Sequence, residues 1–124
     1  MASLALAREQ VMEIDVEELE GGVTTVVLRG RLNNAGVEAV DARFKEVAGS
    51  KRAVVVDLSQ VSFLTSLAIR MLVIGARAVA NRGGKLVLSS PSEGVTSVLQ
   101  AADIEQFIPL MFDRSAAIAA VRPI

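Results

Sequence analysis

The order of apolar runs along this chain predicts an α/β fold: a mixed, mostly parallel sheet with crossover helices and an N-terminal hairpin. Two observations carry that expectation. Met12, Ile14 and Val16 alternate with Glu13, Asp15 and Glu17, and a second alternating run follows the Glu20-Gly21-Gly22 turn. Alternation of this kind marks half-buried strands, and a Gly-rich turn between two of them marks a hairpin. Beyond residue 33, stretches with helical spacing then take turns with short apolar runs, the pattern of a parallel sheet.

The elements follow in order. In the second strand Val26, Leu28 and Leu32 share one face, with Val27, Arg29 and Arg31 on the other. Asn33-Asn34 ends it and offers a helix cap. Val37, Val40, Phe44 and Val47 recur at helical spacing, Asp41 and Lys45 form a surface pair four apart, and Gly49 is placed to close the helix in a left-handed conformation. Residues 53–58 form a continuous apolar run, read as a strand buried on both faces. The chain then passes a short polar turn and restarts as a helix near Thr65 or Ser66, running to about Asn81. Leu67, Met71, Ile74 and Ala78 give that helix an apolar stripe, widened by Leu72, Ala76 and Val79. Arg70 and Arg77 fall opposite, with Val73 between them.

Gly83-Gly84 breaks the helix and Leu86-Val87-Leu88 is the next strand. Ser90-Pro91-Ser92-Glu93 reads as a helix start, with Ser90 as the cap, Pro91 at the first helical position and Glu93 completing a capping box. Val95, Val98, Leu99 and Ala102 form its expected buried face. Phe107-Ile108 reads as a final strand ended by Pro109, and Asp113 as the cap of a last helix carrying Ile118 and Val121. Residues 1–10 are expected to be a flexible segment, and 11–124 one domain.

Composition removes several function classes. The chain has 124 residues, 52% of them hydrophobic, which argues against disorder. Aromatics are only 3%, so the core must be aliphatic. There is no Cys and no His, which excludes Ser-His and Cys-His triads and the commonest metal ligand. No metal site or cofactor is expected. A net charge of −1 gives no basic footprint for nucleic acid. No apolar stretch approaches the ~20 residues that cross a bilayer, and the first residues lack a signal-peptide pattern. The expectation is a cytoplasmic protein that does not insert into membranes. Gly83-Gly84 precedes a strand rather than opening a helix, which is wrong for a phosphate-binding loop. The carboxylates are spread over different elements and make no acid–base pair.

The chemistry concentrates where the buried strand meets the next helix. Thr65 and Ser66 sit at a helix start, where unpaired backbone N–H groups and the helix dipole favour an anion. A serine there is well placed to carry a phosphate. Its simpler reading is a helix cap. Arg70 lies one turn on, on the same side, and is within reach of such a phosphate; its simpler reading is an ordinary exposed arginine.

Asp57-Leu58-Ser59-Gln60-Val61-Ser62-Phe63-Leu64-Thr65-Ser66 resembles the signature of STAS domains, the fold of the anti-sigma factor antagonists. Leu28-Arg29-Gly30-Arg31-Leu32-Asn33 resembles the family's Gly-x-Leu-Asp element, and Gly83-Gly84-Lys85-Leu86-Val87-Leu88 its strand after the phosphosite helix. The resemblance spans roughly residues 11 to 121. It implies a STAS-like fold and places the phosphorylated serine at Ser66. Thr65 stands where the family has aspartate, Leu67 replaces a small residue, Ala68 a glycine, and Arg70 another small residue. Asn33 replaces an aspartate in a loop that touches the partner in that family.

The implied function is that of an anti-sigma factor antagonist acting by partner switching, with no enzymatic chemistry of its own. The unmodified domain would bind an anti-sigma factor, a serine kinase with an ATP-binding fold. That kinase would phosphorylate Ser66 and end the complex, and a phosphatase would restore it. The expected partner surface is Asn33, Thr65, Ser66, Arg70, Val73 and Arg77. A second expectation, favoured by Thr65 in place of aspartate, is a STAS subunit of a membrane-associated ABC-type lipid-transport assembly, without a phosphorylation switch.

Overall fold

Five strands form one sheet in the order β1-β2-β3-β4-β5. The structure is a computed structural model that describes residues 12–123. The 1–10 segment expected to be flexible lies outside the described residues. β1 (Glu13–Glu18) pairs antiparallel with β2 (Thr24–Leu32), and every later pairing is parallel. The expected hairpin and mostly parallel sheet are both present. Gly21 and Gly22 make its turn, both at positive φ (83° and 80°), which glycine adopts without steric cost.

The crossovers are α1 (Asn34–Ser50), α2 (Ser66–Asn81) and α3 (Glu93–Ala101). The last helix, α4 (Arg114–Val121), packs on the other face of the sheet. β3 (Ala53–Leu64) shows why the central run is uniformly apolar. Val54, Val56 and Leu58 enter the main core with α1, α2 and α3, while Ala53 and Val55 enter a smaller core under α4. A strand covered on both faces has no solvent side on which polar residues could alternate.

β3 is longer than the sequence indicates. The polar turn expected after Leu58 is a continuation of the strand to Leu64, paired with β2. Its register against β2 slips between Val27 and Arg29 and again between Gly30 and Arg31. Each slip adds a residue on β3, which breaks the two-residue period and hides the strand from pattern reading. Asp57 Oδ1 accepts the Ser59 N–H at 2.8 Å beside the first slip.

Caps set where the helices begin. Asn33 Oδ1 accepts the Gly36 N–H at 2.9 Å at the start of α1, and Asp113 Oδ1 accepts the Ser115 N–H at 3.0 Å at the start of α4. Ser92, and not Ser90, caps α3, accepting the Val95 N–H at 3.2 Å. Ser90 is still tied to the sheet, its N–H bonded to Met111 O at 2.9 Å and its φ at 57°. Pro91 therefore precedes the helix instead of opening it. Gly49 does not close α1 in a left-handed conformation, since it remains helical. The end is made by Lys51, whose N–H bonds Val47 O, and by Arg82, which donates to Ala48 O and, at 2.6 Å, to Lys51 O. Lys51 also donates to Glu18, and that bond, with the ammonium's charge, holds the Glu18 carboxyl below its ordinary range.

Two further expectations are corrected near the C-terminal end. The final strand is β5 (Leu110–Met111), after Pro109, and not Phe107-Ile108. The amides of Phe107 and Ile108 both bond Ile104 O at 2.9 Å in the 3-10 turn Ile104–Gln106, so neither is free to pair in the sheet. On α3 only Val95 and Leu99 are buried, and Val98 and Ala102 lie exposed. The Asn33 cap yields a first prediction: Asn33→Ala lowers stability by about 1 kcal/mol in urea unfolding, whereas the adjacent Asn34→Ala, which removes no cap, leaves the midpoint nearly unchanged.

Candidate functional site

Leu32 and Leu64 end neighbouring strands, paired in parallel, and each strand hands over at once to a helix. The starts of α1 and α2 therefore lie side by side. Thr65 N–H donates to Leu32 O at 3.2 Å, and Thr65 Oγ1 reaches toward Asn34 Oδ1 at 3.4 Å, linking the two helix starts. Thr65 is the N-cap residue of α2, yet its side chain accepts no cap hydrogen bond. The first turn of α2 holds no acidic residue. Its leading amides thus keep their partial positive charge uncompensated by protein side chains.

Ser66 is the first residue of α2 and its side chain is exposed. Arg70, one turn further on, is also exposed and forms no ion pair among the described residues. An exposed hydroxyl, free helix amides and an unpaired guanidinium therefore share one small surface. Such a surface can hold a phosphate through charge-assisted hydrogen bonds. Among the described residues no group of three or more Asp or Glu side chains is arranged to hold a metal ion. No described helix is long and apolar enough to cross a membrane.

Four of the six expected site residues meet here: Asn33, Thr65, Ser66 and Arg70. Asn33 is half-buried and its Oδ1 is committed to capping α1, so the exposed Asn34 is the asparagine that faces outward. Val73 departs from expectation, since it is half-buried and packs against the main core. Arg77 lies eleven residues beyond Ser66, about 16 Å along the helix axis, and its guanidinium covers the Phe107 ring at 5.6 Å.

The inward face of α2 is Ala68, Met71, Leu72, Gly75, Ala76 and Val79. Leu67 and Ile74, expected in the core, are instead 42% and 47% exposed and flank Arg70. Phe63 is 42% exposed near the end of β3, with Arg31 over its ring at 4.9 Å. Leu67 and Ile74 share a helical stripe with buried Met71, which is why spacing alone predicts them in the core. The available signal is Gly75, the small residue over which the Phe44 ring of α1 lies.

The profile of the family described as "Mlab, STAS domain" matches residues 14–111. The chain belongs to the STAS domain family. A Bordetella bronchiseptica protein, BtrV, assigned as an anti-sigma factor antagonist, is 26% identical over 112 residues, covering 90% of this chain and 96% of that one. The crystal structure of an anti-sigma factor antagonist from Mycobacterium paratuberculosis superposes with a TM-score of 0.82 at 23% identity, over 92% of this chain and 97% of that one. The phosphorylated form of SpoIIAA, a Bacillus cell-fate determinant, superposes with a TM-score of 0.66 at 18% identity, over 87% of this chain and 98% of that one. At those identities the two structural likenesses speak for the fold.

Proposed function

We propose that this chain is an anti-sigma factor antagonist whose binding is switched by phosphorylation of Ser66. The observation that carries the reading is the exposed Ser66 at the uncapped, acid-free start of α2, with unpaired Arg70 one turn away. The unmodified surface binds an anti-sigma factor, a serine kinase with an ATP-binding fold, and the sigma factor is released. A phosphate on Ser66 adds about −1.5 to −2 charges to that contact. It draws in Arg70 and the helix amides, and desolvating it against a partner surface is costly. The complex is lost, and a phosphatase restores it. The chain acts as binder and substrate in the cytoplasm, without enzymatic chemistry, cofactor or nucleic-acid contact. Support comes from the relatives assigned as anti-sigma factor antagonists and from a family fold that carries a phosphate in SpoIIAA.

The test is reconstitution with the kinase-type anti-sigma factor encoded nearest to this chain and its sigma factor. Adding the unmodified chain is expected to displace sigma in a gel-filtration assay, and prior phosphorylation to prevent it. No displacement by the unmodified chain defeats the reading.

A second reading is favoured by Thr65, whose hydroxyl links the two helix starts where the family's aspartate would place a charge. Under it the chain is a subunit of a membrane-associated ABC-type assembly and Ser66 stays unmodified. Co-purification with an ABC-type ATPase, in place of a soluble kinase, would select it.

The geometry also ranks the two arginines. Arg70→Glu is expected to weaken anti-sigma factor binding about tenfold, ~1.4 kcal/mol, and to flatten its salt dependence. Arg77→Glu, at the far end of α2 and stacked on Phe107, should change affinity less than about twofold. Titrations at two salt concentrations separate these outcomes, and equal losses from both variants would move the interface along the helix.

A further inference from the structure

A groove runs between α1 and α2 beside Arg70. Phe44 and Met71 make its floor, and Val37, Leu67, Ile74 and Gly75 line its sides. Gly75 is what lets the Phe44 ring lie under the groove, since a Cβ there would stand 2.4 Å from the ring. The cavity is about 170 Å³. That is roughly the volume, ~150 Å³, that admits a benzene ring in a protein interior. Leu67 and Ile74 stand two helical turns apart with Arg70 between them, and nearly half of each is exposed.

The charges around the groove are unequal. On the α1 side Asp41 and Lys45 neutralise each other at 2.9 Å. On the α2 side Arg70 has no carboxylate partner among the described residues. The rim therefore carries one uncompensated positive charge next to an apolar slot.

We propose that this groove receives one Leu-, Met- or Phe-sized side chain of the partner, from a segment that carries a carboxylate about one helical turn away for Arg70. The apolar contact removes the exposed flanks of Leu67 and Ile74 from water, and the carboxylate gives Arg70 the partner it lacks. Charge argues against a second copy of this chain as the occupant, because a two-fold pairing would gather two unpaired arginines in one interface. The inference rests on the partner-binding reading above and adds its recognition code. It also joins the code to the switch: a phosphate on Ser66 takes Arg70 away from the partner's carboxylate.

The test uses a phage-displayed library of short random peptides with the full chain as bait, followed by titration of the enriched sequences as synthetic peptides. The expected result is enrichment of a Leu, Met or Phe with an Asp or Glu three or four positions away. Ile74→Glu should then reduce peptide binding at least about tenfold, while Val98→Glu, on exposed α3, leaves it unchanged. With Arg70→Glu, peptides whose acid is replaced by Lys should regain affinity. No enrichment, enrichment without an acid, or indifference to Ile74→Glu would overturn the proposal. If the peptides behave as stated and the anti-sigma factor does not bind, the functional reading fails and the groove stands. If the anti-sigma factor binds Ile74→Glu as it binds the wild type, the groove assignment fails alone.

Discussion

Ser66→Asp is expected to weaken anti-sigma factor binding by at least about tenfold, ~1.4 kcal/mol, while Ser66→Ala stays close to wild type. The asymmetry follows from where the side chain sits. Ser66 is exposed and makes no hydrogen bond to another described side chain, so removing its hydroxyl leaves nothing buried unsatisfied. Aspartate at the same position places a full charge at the centre of the proposed contact. At the first position of α2 that charge meets free amides and Arg70, so the helix itself gains, by about 0.3–1 kcal/mol. The variant should therefore fold at least as well as wild type and still bind less. Loss of binding with retained or raised stability is a signature that misfolding cannot produce. Equal affinities for the two variants in calorimetric titration would remove the switch.

The largest stability effect is expected from Phe44→Ala. Among the described residues Phe44 is the only aromatic in the core, and it is 1% exposed. Its ring packs against the bare backbone of Gly75 on α2. Truncation leaves a cavity between two helices that rigid strands hold in place, and costs about 3–5 kcal/mol. The converse change, Gly75→Ala, drives a methyl into the same ring and costs about 1–3 kcal/mol by overpacking. The two sites touch, so their effects should not add: Phe44→Leu combined with Gly75→Ala should be more stable than the sum of the single losses predicts. Urea unfolding of the four proteins checks this. Additive losses would mean that ring and glycine are not in contact.

Much of the architecture was legible because local chemistry and tertiary position agree. The Gly21-Gly22 turn, the Asn33 and Asp113 caps, the Asp41–Lys45 pair and the helix start at Thr65–Ser66 are each decided by neighbours in sequence, and each is found where expected. The failures occur where a distant residue decides. Ser90 could cap a helix, but its amide is taken by Met111 O, twenty-one residues on, and the cap passes to Ser92. Phe107 and Ile108 look like strand, but both amides are spent on Ile104 O. Ser59 and Gln60 look like a turn, but β3 runs on through them, with Gln60 paired to Arg29 beyond the first register slip.

The site divides in the same way. Ser66 and its exposure follow from the order strand–cap–helix, and Arg70 from the spacing of four. The orientation of α2 does not, because it depends on Gly75 letting the Phe44 ring of α1 come close, an arrangement that leaves Leu67 and Ile74 exposed. A helix rich in apolar residues on several sides has no unique inward face until its neighbour is placed. The apolar flank of the candidate partner surface, Leu67 and Ile74, was therefore invisible before the fold was known.

The most direct test of the proposed switch is to incubate the chain with the kinase-type anti-sigma factor encoded nearest to it and ATP, then map the modified residue by mass spectrometry. The expected result is a single phosphate on Ser66, absent from the Ser66→Ala protein. The same preparation should fail to bind the anti-sigma factor and regain binding after phosphatase treatment. Phosphate on Ser62, Thr65, Ser90 or Ser92, or a Ser66-phosphorylated chain that still binds, would contradict it.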